Sequence, residues 1–312
     1  MADADIATAK GPKERVEWAA QALEFPVKDT PPFRLVADVS IRNGDETLTG
    51  TYTLLRASET QWREEILVKD YEEIHVVRGD ETTWFRNIGY RPAVILELRS
   101  VLRYAQNLDS AFDRKFGKFK TRNITGIDGS KQPSQCTRIR DPKGHTRGSA
   151  KRACFDPESG HLTSMHSFDK VYTFEGFQPA GDRWLPTKVH KWVKRGVEVT
   201  VTYREVQWLD SPIDDDAWTL DREGARTWGW CPKDQMTPPR PHSELPILNV
   251  AVNIELDREG QVTRVHIAGR GATYDSARLH KRVRALRFDP ALCNGEPVEA
   301  EFSFFSSVER IF

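Results

Sequence analysis

The stretch FRLVADVSIRNGDETLTGTYTLL, residues 33–55, decides the architecture of most of the chain. Phe33, Leu35, Ala37, Val39 and Ile41 alternate with Arg34, Val36, Asp38, Ser40 and Arg42, which is the period-two pattern of a strand with one buried face. Asn43-Gly44-Asp45 supplies turn chemistry, and Leu48, Gly50, Tyr52 and Leu54 resume the alternation, so the two runs read as a hairpin. Outward from it, similar runs at 62–68, 73–77 and 82–86 are each broken by Asp, Glu or Gly, and an antiparallel meander results.

The meander is interrupted at PAVILELRSVLRYAQNL, residues 92–108, where Val94, Leu98, Val101, Leu102, Ala105 and Leu108 recur at helical spacing behind a first-turn proline. Strands resume at 119–127, 135–140, 151–155, 162–168, 171–177, 184–194 and 197–208, and a further helix is expected at 13–23. Hairpins around one interior helix predict a curved antiparallel half-barrel with a helical lid over residues 1–230. Residues 231–246, ending MTPPRPHSELP, are proline-dense and are expected to form an extended linker. In LNVAVNIELDREGQVTRVHIAG, residues 248–269, two alternating runs flank the turn at 257–260. Leu279, Val283 and Leu286 then mark a helix that stops before Pro290, with Thr273 or Asp275 as its cap, and a last strand carries Val298, Ala300, Phe302 and Phe304 inward. The expected class is therefore α+β, with a small ββαβ domain at 247–312.

Composition narrows the function classes. Lys plus Arg and Asp plus Glu both number 46, so no net field favours nucleic acid or an anionic membrane, and no nucleic acid is expected as a partner. No run approaches the roughly 18 apolar residues of a membrane helix. Cys136 and Cys154 lie on two strand-like runs joined by a turn-rich segment, so antiparallel pairing would set them opposite each other, and a bridge would close a loop of about 19 residues worth roughly 3 kcal/mol. Cys231 and Cys293 would then staple the two domains; the alternative is four buried free thiols. There is no CxxC, so no zinc is expected, and no other metal or cofactor. GxSxG, HExxH and Walker patterns are absent, the histidines are scattered, and Asp214-Asp215-Asp216 lacks the spacing of a calcium loop, so no catalytic residue is assigned and no enzyme is expected.

Two resemblances sharpen this reading. The strand order over 13–210, with phrases such as GTYTLLRASETQWREEI, resembles the LolA-like periplasmic lipoprotein carriers, which implies an apolar cavity for acyl chains. The run VRALRFDPALCNGEPV resembles the end of the TonB C-terminal domain, matching it at Val283, Arg284, Arg287, Phe288, Pro290, Ala291, Gly295, Pro297 and Val298, with Leu286 where that family usually has tryptophan. The first resemblance implies a lipid or lipoprotein acyl chain against Val39, Ile41, Tyr52, Leu54, Trp62, Ile66 and Trp84, under a lid carrying Leu98 and Leu102. The second implies an outer-membrane or periplasmic protein partner pairing with the strand of Val298, Ala300, Phe302 and Phe304. Packing on the half-barrel or homodimer formation is the other use of that module. Together they imply a non-enzymatic periplasmic protein whose signal peptide has been removed. The alternative is a protein-protein interaction or scaffold module of a TonB-type transport system with no lipid ligand.

Overall fold

The computed structural model describes residues 30–88, 91–106, 120–127, 133–140, 151–156, 158–167, 170–180, 183–193, 196–210, 212–229, 231, 235–243, 251–268 and 276–305. The helix expected at 13–23 lies outside them. The described residues are mostly strand, and the chain forms two compact units. Unit 1 comprises Met1–Ser58 with Glu97–Pro212, and unit 2 comprises Glu59–Leu96 with Ile213–Phe312. The division thus falls elsewhere than at the proline-dense stretch, and residues 59–96 group with the C-terminal module.

In unit 1 the hairpin of β1 (Phe33–Asn43) and β2 (Glu46–Ser58) forms in the expected register, Ala37 opposite Tyr52 and Leu35 opposite Leu54. Gly44 takes the turn at φ +65°. Beyond β1 the antiparallel order runs through β12 (Glu198–Trp208), β11 (Arg183–Val193), β10 (Lys170–Ala180), β9 (Leu162–Ser167), β8 (Lys151–Phe155), β7 (Pro133–Arg140) and β6 (Lys120–Ile127). Cys136 and Cys154 sit opposite each other on β7 and β8 and are joined, their Cα atoms 4.0 Å apart. The interior helix, α1 (Ala93–Gln106), is divided between the units at Glu97; its buried residues at helical spacing are Ile95 in unit 2 and Leu98, Val101 and Leu102 in unit 1.

In unit 2, β3 (Gln61–Val68), β4 (Tyr71–Arg78), β5 (Glu81–Arg86) and β13 (Arg226–Gly229) pair in that order. The proline-dense stretch is itself strand-paired: β14 (Met236–Thr237) and β15 (Arg240–Pro241) bond to β19 (Ala291–Cys293) and β18 (Phe288–Asp289). Cys231 and Cys293 are bridged, and both belong to unit 2. The C-terminal module has the expected ββαβ order, with β16 (Ala251–Leu256) between β17 (Val262–Ala268) and β21 (Ala300–Phe305), and α2 (Ser276–Arg284) against β17. Its core is Val252, Ile254, Leu256, Val265, Leu279, Val283 and Phe288. Gly260 in the first turn has φ +74°, and a Cβ there would lie 2.1 Å from the Phe288 carbonyl oxygen, so the turn and the strand entry at Phe288 both require glycine. Val298, expected on the last strand, instead ends β20 (Glu296–Val298), because Asn294 and Gly295 at φ +50° and +88° fold β19 and β20 into a two-residue hairpin.

Candidate functional site

Unit 1 presents one broad apolar face, and strand register assembles it. Ile41 lies opposite Val199, Val199 opposite Lys191, Lys191 opposite Tyr172, Tyr172 opposite Met165, and Met165 opposite Ala153. A parallel row links Val39, Val201, Val189 and Phe174. Directly opposed residues share a sheet face, so both rows lie on the side of Phe33, Leu35 and Ala37. Of the expected wall residues, Val39, Ile41, Tyr52 and Leu54 fall on this face, and each is at most 8% exposed. The other side of β1 and β12 is wet, carrying the Asp38–Arg204 and Arg42–Glu198 ion pairs.

One member of the apolar rows is charged. Lys191 is 1% exposed, and its Nζ donates to Glu97 Oε2 on α1. An ammonium cannot be taken from water into such surroundings without a carboxylate, so this pair fastens α1 to β11. Lys191 shares strand phase with Leu185 and Val189, which could have marked it in the sequence as an inward cation. On the same face the Tyr203 hydroxyl is fully buried with no hydrogen-bond partner among the described residues, and burial pushes its pKa upward.

The remaining wall residues, Trp62, Ile66 and Trp84, belong to unit 2. Register puts them on one face with Tyr71, Glu73, His75 and Arg86. Trp62 packs edge-on against His75, and Trp84 lies beneath the Arg86 guanidinium, 4.3 Å from ring centroid to Cζ. Between these strands and the C-terminal module is a buried charge cluster that the sequence reading missed. Glu73, 2% exposed, accepts from Tyr71 Oη at 2.7 Å, from Arg91 Nε at 3.1 Å and from Arg91 Nη2. Arg86 holds Glu301 of β21 through two bonds, at 2.9 and 2.6 Å, and Asn253 Nδ2 donates to the Arg91 carbonyl at 3.1 Å. Arg226 adds a 2.5 Å bond to Glu255 of β16.

Two carboxylates and two guanidiniums balance at the centre of this cluster. Burial works against the Arg86 charge, but Glu73 and Glu301 outweigh it and its pKa is raised. Burial likewise opposes the Glu301 charge, and Arg91 and Arg86 outweigh it, so its pKa is lowered. Burial raises the Tyr71 phenol, with Glu73 reinforcing the shift. Beside the cluster opens a cleft of about 220 Å³, floored by Trp84 and Arg86 and rimmed by His75, Met236, Val298 and Glu299. The arrangement locks β21 to β5 and leaves neither arginine free as an anion receptor.

Of the expected partner-binding residues, Ala300 is buried, Phe302 is half-buried against the module core, and β21 is an edge of its three-stranded sheet. The side chain of Phe304 lies outside the described residues. Among the described residues no group of three or more His, Cys, Asp or Glu side chains is placed to hold a metal ion. Asp215 and Asp216 open a 3-10 turn ending in the buried Trp218, whose last carbonyls receive Arg63.

No family model matches the chain, the TonB C-terminal family included, and no curated protein matches it. Among solved structures it is similar to a LolA superfamily protein from Nitrosomonas europaea, with TM-score 0.38 and 15% identity over 67% of this chain and 97% of that one. A DUF1329 family protein from Desulfovibrio piger gives TM-score 0.38 and 10% identity over 70% and 98%. The MucA/MucB complex of Pseudomonas aeruginosa gives TM-score 0.28 and 11% identity over 97% and 100%. Superpositions this loose carry no functional argument, which rests on the residues above.

Proposed function

We propose that this is a non-enzymatic protein of the bacterial periplasm that takes up a lipid or lipoprotein acyl chain on the apolar face of unit 1, and that its C-terminal module docks an envelope partner along β21. The observation that carries the reading is the row of apolar residues from Ile41 to Ala153, broken by Lys191, whose ion pair with Glu97 fastens α1 to it. Burying an acyl chain there would yield about 0.8 kcal/mol per methylene. Two disulfides fit an oxidising compartment. Leu98 and Leu102 on α1 are the lid positions, and the wall is Val39, Ile41, Tyr52 and Leu54.

Native mass spectrometry of the protein isolated from periplasm should show a population heavier by one lipid or acyl chain that denaturation releases. The isolated protein should also take up a fluorescent fatty-acyl probe. A lipid-free mass together with no probe uptake would sink the carrier reading. The wall residues are excluded from solvent, which favours a second reading in which unit 1 is a filled core and the protein is an interaction scaffold; it expects partner capture from envelope extract by a lipid-free chain.

A further inference from the structure

The cations of this surface are not distributed alike. Arg42, Arg78, Arg204 and Arg222 are all well exposed, and each has a carboxylate: Glu198, Asp215, Asp38 and Glu72. The C-terminal helix differs from these four. From Ser276 to Phe288 the sequence holds five Lys and Arg residues and no Asp or Glu. Lys281, Arg282 and Arg284 on α2 and Arg287 just beyond it are exposed, and none has a carboxylate partner among the described residues. The apolar side of α2 is already occupied, since Leu279 and Val283 are in the module core. Among the described side chains from 277 to 287, the exposed ones are cationic apart from Ala277 and Ala285.

Cations in a last turn gain from the helix dipole. Lys281 and Arg284, and Arg284 and Arg287, nonetheless stand three residues apart, where like charges repel. Arg34, Arg240 and Arg258 are also exposed with no ion pair among the described residues, but they stand singly, whereas α2 and its end gather four such cations within residues 281–287; in a chain of zero net charge this concentration has a binding partner as its physical rationale. We infer that the outer face of α2 is an electrostatic docking surface for the phosphate-bearing headgroups of an anionic lipid bilayer. A protein partner would call for aromatic or large aliphatic anchors, and the outward positions of α2 carry none. A headgroup plane needs no anchor: it presents closely spaced phosphates that guanidinium and ammonium groups contact one by one. Because the leucine and valine of the helix are committed to the core, the contact is adsorption without insertion. The inference does not rest on the acyl-chain reading, and either can fail alone.

The test is sedimentation of the full chain with vesicles of phosphatidylcholine alone and with vesicles containing about 30% phosphatidylglycerol, a composition that sets the surface charge. The expected result is binding to the anionic vesicles only, reversed by about 0.5 M salt. The triple variant Lys281→Gln/Arg282→Gln/Arg284→Gln should bind about a hundredfold more weakly. Its substitutions are on exposed positions, and unchanged circular dichroism and melting would establish that it folds. The variant Arg34→Gln/Arg222→Gln should bind like the parent. No binding to anionic vesicles at low salt, equal binding to neutral vesicles, or a triple variant that binds as tightly as the parent would each overturn the inference.

Discussion

Lys191 is the charged member of the apolar rows of unit 1, and Glu97 of α1 is its partner. Its ammonium is 1% exposed and its partner, Glu97, about a third exposed, so the pair is asymmetric: the carboxylate retains water that the cation has lost. Breaking a wholly buried pair from one side costs about 3–5 kcal/mol, because the remaining charge has nowhere to go. With Glu97 partly solvated, Glu97→Gln should lower stability by about 2 kcal/mol. Lys191→Met/Glu97→Gln removes both charges and fills the volume with an apolar chain, so it should recover most of the loss. Urea titrations of the single and double variants measure both effects. A single variant as stable as the parent, or a double variant no better than the single, would mean that the pair does not fasten α1.

Among the elements, the disulfides act on segments of different length, which orders their contributions. Cys136 and Cys154 are separated by 18 residues, and Cys231 and Cys293 by 62. In the chain-entropy model these closures contribute about 3 and about 4 kcal/mol, so paired Cys→Ala replacement of the second bridge should destabilise more. Thermal melting of the two double-alanine variants measures the order; the reverse order would show that native-state effects outweigh chain entropy. The Cys136–Cys154 bridge was approachable from the sequence, because β7 and β8 are neighbouring strands; Cys231–Cys293 was expected as a staple between two domains, whereas both cysteines belong to unit 2. The β1–β2 hairpin and the module core were legible for the same reason: alternation and helical spacing are local patterns that burial then enforces. The charge cluster was not legible. Arg86 and Glu301 are 215 positions apart, and strand phase shows that Glu73 turns inward beside Tyr71 and His75 without naming the arginines that meet it. The same blindness hid the grouping of residues 59–96 with the C-terminal module, since the contacts that bind them are pairings of long sequence separation.

For the whole molecule, the groups whose pKa differs between the folded and unfolded states govern the response of stability to pH. Among the described residues, His190 in unit 1 and His266 in unit 2 are displaced in the same direction. Burial lowers the pKa of His190 on β11, whose Nδ1 lies 2.9 Å from Thr200 Oγ1, and burial lowers that of His266 on β17. Each is neutral in the folded chain at a pH where the unfolded chain, with histidine near 6.5, begins to bind a proton. The unfolded state therefore binds more protons, and stability present above that value declines as pH falls through it. Glu255 opposes this lower down: burial raises its pKa against the pull of Arg226, so the folded state takes up its proton first and gains stability toward pH 4.5. Below about pH 4.5 Glu301 and Asp156 dominate. Their folded pKa values are lowered, the first by Arg91 and Arg86 against burial and the second by hydrogen bonds from Ser159, and what they contribute disappears as they are protonated. The urea midpoint should thus drop between about pH 7.5 and 5.5, level off as Glu255 titrates, and drop again under more acid conditions. His190→Gln/His266→Gln should flatten the first drop and leave the second in place. A parent midpoint independent of pH across the first interval, or a double variant with the parent's slope there, would show that these two rings are not held neutral by the fold.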